Sequence, residues 1–300
     1  MTFSLKRLTD PFSIGVLIVY ILAVIRLAFI PNALWPALLL GLGVALLSWI
    51  VLSVTRKYSP QPVRVVQPKA ELWSILIWYT GVYLLAFFTY SKGLELVNQL
   101  TNWFFLVIVP FGLLVLVRGS DSAMRDTLRS IGLTRAGLKE ALKLAMVIGP
   151  LVIPILYLIG DKQRAAIQMI FHEPSRALIS FFVSFLLALL TSGFVEEFFF
   201  RGVLQSRLVS STGSEWYGLL IASLLFGLFH FPLYFFSPFE PTQGNFVWSL
   251  SSVITEQVVA GILLGVLWTR THNLAAPLLV HALINAFALM TTLDINIGSG

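Results

Sequence analysis

Two adjacent glutamates and an arginine lie in the stretch FVEEFFFRG (residues 194–202), within a run of apolar side chains. Glu197 and Arg201 are four residues apart, so on a helix they share one face and can form an ion pair. Glu196 is rotated by about 100° from Glu197, and Arg201 cannot serve both carboxylates equally. We therefore predict a structural ion pair for Glu197 and a proton-transfer role for Glu196.

A histidine, His230, is placed by chain length at the level of Glu196. Ser, Thr and Gly cluster at residues 211–214 and predict a turn there. Gly213 is seventeen residues from both Glu196 and His230. If both arms are helical, the two side chains lie at the same depth, about 25 Å from the turn. A lone histidine would be read as structural, but this one has a carboxylate at its level.

His281 and Asn285 are four residues apart, so one helix face presents an imidazole and an amide. A carboxylate, two histidines and an amide donor suit amide hydrolysis, in which glutamate draws a proton from water and donors stabilise the oxyanion. Alternatively, Glu196, His230 and His281 bind a divalent metal such as zinc, whose water is the nucleophile. The spacing leaves both chemistries open.

Other protease chemistries have no signature in the sequence. The chain has no cysteine, no H-E-x-x-H motif and no G-x-S-x-G motif, and its apolar segments hold no pair of aspartates. Glu256 is a further acid in a late apolar segment. We predict that it either orients a histidine from behind or hydrogen-bonds neighbouring backbone.

The composition indicates what must position these residues. Of 300 residues, 57% are hydrophobic and 11% charged, with a mean hydropathy of +0.88. Soluble domains carry roughly 25% charged residues, so we predict an integral membrane protein. A bilayer span needs about 20 apolar residues. Nine segments come close: Ile14–Ile30, Ala33–Val54, Leu72–Tyr90, Trp103–Val117, Ala141–Ile159, Ala177–Phe200, Trp216–Phe231, Ser249–Thr269 and Leu274–Leu293. The fold class predicted is an all-α polytopic bundle of eight or nine transmembrane helices.

Positive charge collects in alternate connections, with an exception at 160–176. The residues concerned are Lys6 and Arg7, then Arg56, Lys57, Arg64 and Lys69, then Arg118, Arg125, Arg129, Arg135 and Lys139, then Arg207, and finally Arg270. This pattern predicts a cytoplasmic N-terminus. It also accounts for the net charge of +6 without nucleic acid, because no basic patch carries interleaved aromatics.

The longest polar interval, residues 121–140, predicts a division of the chain. Its later part, GLTRAGLKEALK, predicts an amphipathic helix on the membrane surface that leads into the fifth span. We therefore expect an N-terminal transmembrane bundle of unassigned role at residues 1–132. Residues 133–300 would form the catalytic membrane core, starting with the amphipathic helix.

The three motifs, in this order, resemble the CPBP family (CAAX prenyl proteases and bacteriocin-processing proteins), also called the ABI or type II CAAX protease family. They are Glu196-Glu197-x-x-x-Arg201, Phe226-x-x-x-His230 and His281-x-x-x-Asn285. The resemblance covers roughly residues 177–290. It implies an intramembrane endopeptidase in which Glu196 and His230 activate water. His281 and Asn285 would bind the oxyanion or complete a metal site, and Glu197 and Arg201 would hold the architecture.

The resemblance implies a membrane-embedded or lipidated protein or peptide as substrate, in the plasma membrane of a prokaryote. Two other classes compete with the protease. A non-catalytic immunity or binding protein would use the same polar cavity without cleaving anything. A proton-coupled transporter would use the Glu and His residues as a relay, but it predicts repeated, broken helices, and the sequence has no such symmetry.

Overall fold

The computed structural model describes residues 9–60, 63–94, 97, 101–119 and 123–293, and this part of the chain is an all-α bundle. Its eleven helices are α1 (Pro11–Leu27), α2 (Leu34–Val54), α3 (Pro68–Ser91), α4 (Thr101–Arg118), α5 (Ala123–Ser130), α6 (Leu138–Ile159), α7 (Asp161–His172), α8 (Pro174–Thr212), α9 (Glu215–Phe236), α10 (Phe246–Thr271) and α11 (Ala275–Leu289).

Seven of these helices in the described part are long and apolar enough to cross a membrane: α2, α3, α4, α6, α8, α9 and α10. The shorter helices α1 and α11 are also apolar. Each of the nine predicted segments thus corresponds to one apolar helix. The predicted fold class, a polytopic helical membrane bundle, is confirmed. The sixth helix is longer than the predicted segment Ala177–Phe200, because α8 continues as one 39-residue helix to Thr212.

The bundle is apolar on its outside as well as in its core. On the packed helices α2 and α6, Val51 and Ile148 are fully buried, whereas Leu42 is 70% and Met146 77% exposed. In a soluble protein such outward side chains would form large apolar patches. Here they form the surface that contacts lipid acyl chains.

The turn that separates α8 from α9 lies where the sequence predicts it. Gly213 has a φ of 65°, a left-handed conformation that favours glycine. The Ser214 hydroxyl then accepts a hydrogen bond from the Tyr217 backbone N–H and caps α9. Helices α8 and α9 are therefore antiparallel and pack against each other from this turn.

Helix α8 is interrupted by two π-helical segments, Leu189–Gly193 and Phe198–Gln205, on either side of the two glutamates. A π turn holds more residues than an α turn, so it changes which side chains share a face. The faces presented by α8 near Glu196 therefore cannot be read from a period of 3.6.

The amphipathic helix predicted for GLTRAGLKEALK is not a separate element. Residues 131–137 form turns, and the polar residues from Leu138 onward are the first turn of α6 itself. Gly137 has a φ of 72°, and a Cβ there would lie 2.5 Å from the Thr271 carbonyl oxygen. Asn273 Nδ2 donates to the carbonyls of Thr134 and Ala136 at 2.7 and 3.0 Å. These contacts hold the segment against the α10–α11 connection, so it does not lie as a helix on the membrane surface.

Arg207 was expected in a connection after the sixth span, but it lies inside α8 and is fully buried. Its Nε donates to Glu71 Oε2 of α3 at 3.0 Å. Arg118 of α4 donates to both oxygens of the same carboxylate, at 3.0 and 3.2 Å. Ser130 of α5 accepts from both guanidinium groups. This buried cluster connects helices α3, α4 and α5 to the helix that carries Glu196.

Candidate active site

Three of the predicted residues come together around one carboxylate oxygen. Glu196 Oε2 lies 3.6 Å from His230 Nε2 and 3.8 Å from His281 Nε2. These side chains are between 8% and 16% exposed, so they are recessed but reachable. In the described part of the structure, Glu196 Oε2 is buried without a hydrogen-bond partner. Buried polar atoms are rarely left without a partner, so this oxygen is a candidate position for a bound water or ligand.

The hydrogen bonds made by Nδ1 of His230 and of His281 fix the tautomer of each imidazole. His230 Nδ1 lies 2.9 Å from the carbonyl oxygen of Phe226, which can only accept, so Nδ1 carries the proton. His281 Nδ1 lies 2.7 Å from Glu197 Oε1 and donates to that carboxylate. In the neutral form of each ring, Nε2 is therefore the acceptor.

Glu197 has a second partner that its spacing to Arg201 does not reveal. The predicted ion pair is present, with Arg201 Nη1 3.2 Å from Glu197 Oε1. The same oxygen accepts from His281 Nδ1. Glu197 is therefore not architectural alone, because it orients one of the two histidines that face Glu196.

Arg201 is held on its other sides by the neighbouring helices. Its Nη2 donates to the Gly261 carbonyl of α10 at 3.2 Å, and its guanidinium lies 4.4 Å from the ring centroid of Phe226. Stacking on an aromatic face is favourable for a desolvated guanidinium. This buried cation compensates the charge of Glu197 below the site.

Asn285 lies on the same face of α11 as His281 and bonds to a residue that the sequence reading overlooked. Its Nδ2 donates to Ser192 Oγ at 2.7 Å. Ser192 belongs to the π segment before Glu196 and is half-buried. The sequence offers no distinctive signal for it, since serine is common in apolar helices.

Glu256 does not take either of its predicted partners. Instead of a histidine or a backbone group, its Oε2 accepts from the Tyr234 hydroxyl at 2.8 Å. Gln257 Nε2 donates to that same hydroxyl at 2.9 Å. Tyr234 is one turn beyond His230 on α9, and its hydroxyl reaches Glu256 of α10.

The donor types around Glu196 fit a divalent metal, but they are not drawn together around one. A carboxylate and two imidazole nitrogens are the ligands of many catalytic zinc sites, with metal–ligand distances of about 2.0–2.2 Å. Ligands around a tetrahedral zinc are then about 3.3 Å apart, against 3.6 and 3.8 Å here. In the described ranges, no three His, Asp or Glu side chains form a ready-made metal site.

Comparison with known families identifies the part of the chain that carries this geometry. Residues 178–287 match the family described as type II CAAX prenyl endopeptidase, Rce1-like. This range contains Glu196, Glu197, Arg201, His230, His281 and Asn285. No curated protein and no solved structure matches the chain. Through residues 178–287, the part of the chain that carries the site, this protein is therefore similar to the type II CAAX prenyl endopeptidase family.

Proposed function

We propose that this protein is an intramembrane endopeptidase that hydrolyses peptide bonds of membrane-associated or lipidated substrates, with Glu196 as the base that activates water. The observation that carries the proposal is the unpartnered Glu196 Oε2 between two histidine Nε2 atoms, at 3.6 and 3.8 Å. Both distances are too long for direct hydrogen bonds. A water molecule that lies beside both groups can bridge them.

The tautomers indicate how that water is held. Glu196 Oε2 and His230 Nε2 are both acceptors when the imidazole is neutral, so a water can donate one hydrogen to each. Its lone pairs then point away from both acceptors, toward a substrate carbonyl carbon. Glu196 takes one proton as the water oxygen bonds to that carbon.

The carbonyl oxygen then becomes an oxyanion that needs donors. Asn285 supplies the amide hydrogen that Ser192 does not accept, and His281 becomes a donor at Nε2 when it is protonated. The C–N bond breaks as the proton passes from Glu196 to the leaving nitrogen, which departs as a neutral amine. The products are the carboxylic acid and the amine, and Glu196 is again ionised.

Glu197 and Arg201 do not contact the substrate in this mechanism, but they set the charge and orientation of His281. The Glu197 carboxylate accepts from His281 Nδ1 and so stabilises the imidazolium form that donates to the oxyanion. Arg201 neutralises Glu197 in the buried layer beneath the site.

If the site takes up a divalent ion such as zinc, Glu196, His230 and His281 are the residues that would hold it. Such an ion would supply a more acidic water and a Lewis acid for the carbonyl. The residues behind the histidines, Phe226 and Glu197, would then fix the ligating tautomers.

We also propose that the protein lies in the plasma membrane of a prokaryote with its N-terminus in the cytoplasm. The positively charged side chains in the connections at residues 56–69 and 125–139 support this orientation. Residues 133–300 would act as the catalytic unit, with residues 1–132 packed against it through helices such as α3.

The test compares wild type with Glu196→Gln at equal expression, and Glu140→Gln as the control. Glu140 is a partly exposed carboxylate in a surface pair with Lys143. Each protein is reconstituted into vesicles with an internally quenched, prenylated peptide ending in a CAAX sequence. Each arm is run with and without a chelator, followed by Zn²⁺ addition. Total membrane peptides from the expressing cells are profiled in parallel.

We expect Glu140→Gln to behave as wild type and Glu196→Gln to lose cleavage by at least 10²-fold. Loss of wild-type activity with chelator, and its return with Zn²⁺, would assign the metal form of the site. Equal peptide profiles and equal reporter cleavage for wild type and Glu196→Gln would refute the protease and favour a binding protein.

A further inference from the structure

Ser192 differs from its neighbour in how it uses its hydroxyl group. Thr191 donates its hydroxyl to the Leu187 carbonyl at 2.7 Å, as hydroxyl side chains in helices commonly do. Ser192 instead turns its Oγ to Asn285 and accepts the amide hydrogen bond at 2.7 Å. Within the described part of the chain, its hydroxyl hydrogen has no acceptor. Ser192 is thus committed to Asn285 rather than to its own helix.

Ser192 lies in the π segment Leu189–Gly193, which changes the side chains that share a face of α8. In the described part of the chain, two side-chain hydrogen bonds join α8 to α11: Glu197 with His281 and Ser192 with Asn285. On α11 the two partners are four residues apart, whereas on α8 they are five apart. Residues five apart do not share a face of a regular α-helix, and here the first of the two lies in the π segment that ends at Gly193. We therefore expect that a regular α-helix in place of this segment would turn Ser192 away from Asn285.

We propose that Ser192 is a positioning residue that holds the Asn285 amide as an oxyanion donor. The amide has two hydrogens and one oxygen. With one hydrogen bound to Ser192 Oγ, the planar amide has a fixed direction for its second hydrogen and for its oxygen. Without that acceptor, the amide can rotate and present its oxygen, which would repel the oxyanion. This inference rests on the proposed function.

The experiment measures kcat and KM of the vesicle-reconstituted protein with the quenched prenylated peptide for Ser192→Ala, Ser192→Thr and Thr191→Ala. Thr191→Ala is the matched control. It removes a hydroxyl from the same turn, but that hydroxyl bonds to the Leu187 carbonyl rather than to Asn285. Ser192→Ala should lower kcat about tenfold with KM unchanged, as expected for one lost hydrogen bond in the transition state. Ser192→Thr keeps a hydroxyl acceptor at this position, so its kcat should stay closer to that of wild type than to that of Ser192→Ala.

A double-mutant cycle separates positioning from a general structural role. In an Asn285→Ala background, Ser192→Ala should change kcat by less than about twofold. The same tenfold loss in both backgrounds, or an equal loss in Thr191→Ala, would overturn the proposal. Should Ser192→Ala fail to fold, Ser192→Cys keeps the volume with a weak acceptor and takes its place in the cycle.

Failure of this inference is distinguishable from failure of the proposed function. If Glu196→Gln abolishes cleavage but Ser192 and Asn285 are not coupled, the protease stands and the positioning role is wrong. If Glu196→Gln cleaves as well as wild type, the proposed function itself is wrong.

Discussion

Replacing Glu71 with glutamine removes the carboxylate that the guanidinium groups of Arg118 and Arg207 both contact. The three hydrogen bonds are 3.0–3.2 Å long, and the three side chains are at most 1% exposed. Glutamine keeps the size but not the charge. The variant therefore leaves two buried cations with their carboxylate gone.

The expected cost follows from that burial. Removing one partner of a buried ion pair destabilises a protein by about 3–5 kcal/mol, because the remaining charge stays desolvated. For a chain of this size, 1 kcal/mol corresponds to roughly 2 °C in melting temperature. Glu71→Gln should therefore melt roughly 6–10 °C below wild type in detergent micelles.

The control is Glu140→Gln, which makes the same chemical change in an exposed pair. The Lys143 side chain is 59% exposed and that of Glu140 33%, so the pair contributes at most about 1 kcal/mol. Its melting temperature should stay within about 2 °C of wild type. If Glu71→Gln and Glu140→Gln melt at the same temperature, the cluster does not hold α3, α4 and α8 together.

Two further changes test the site and the fold. Glu197→Gln should lower kcat with the quenched peptide roughly 10- to 150-fold, since a hydrogen bond to a charged acceptor contributes about 1.5–3 kcal/mol. An unchanged kcat would show that Glu197 does not orient His281. Gly137→Ala should destabilise the protein by about 1–3 kcal/mol through its left-handed φ and its contact with Thr271. Gly81→Ala, on an exposed helix face with nothing within 4 Å, should melt no lower than wild type.

The apolar segments and the polar residues within them were enough to predict the fold class and much of the candidate site. Nine apolar runs predicted nine apolar helices, because a bilayer span has a fixed length and must satisfy its own backbone hydrogen bonds. The equal distances from Gly213 put Glu196 and His230 at one depth. That inference worked because the rise per helical residue is nearly constant and the turn is short.

The partners across helices could not be predicted in the same way. Spacing paired Glu197 with Arg201 but gave no sign that His281 of α11 bonds to the same oxygen. Spacing also gave no indication that Glu256 accepts a hydrogen bond from Tyr234. It also placed Arg207 in a connection, although it is buried against Glu71. Each of these contacts depends on which faces of two separate helices meet.

The amino-acid sequence alone thus identifies a helical membrane protein with carboxylate, imidazole and amide groups in its spans. How those groups are paired depends on the packing of the helices. The π segments of α8 change its side-chain period beside Glu196, and the partners lie on helices distant in sequence. Spacing along the chain fixes the depth of a residue in a helix, but packing between helices fixes the neighbour that it meets.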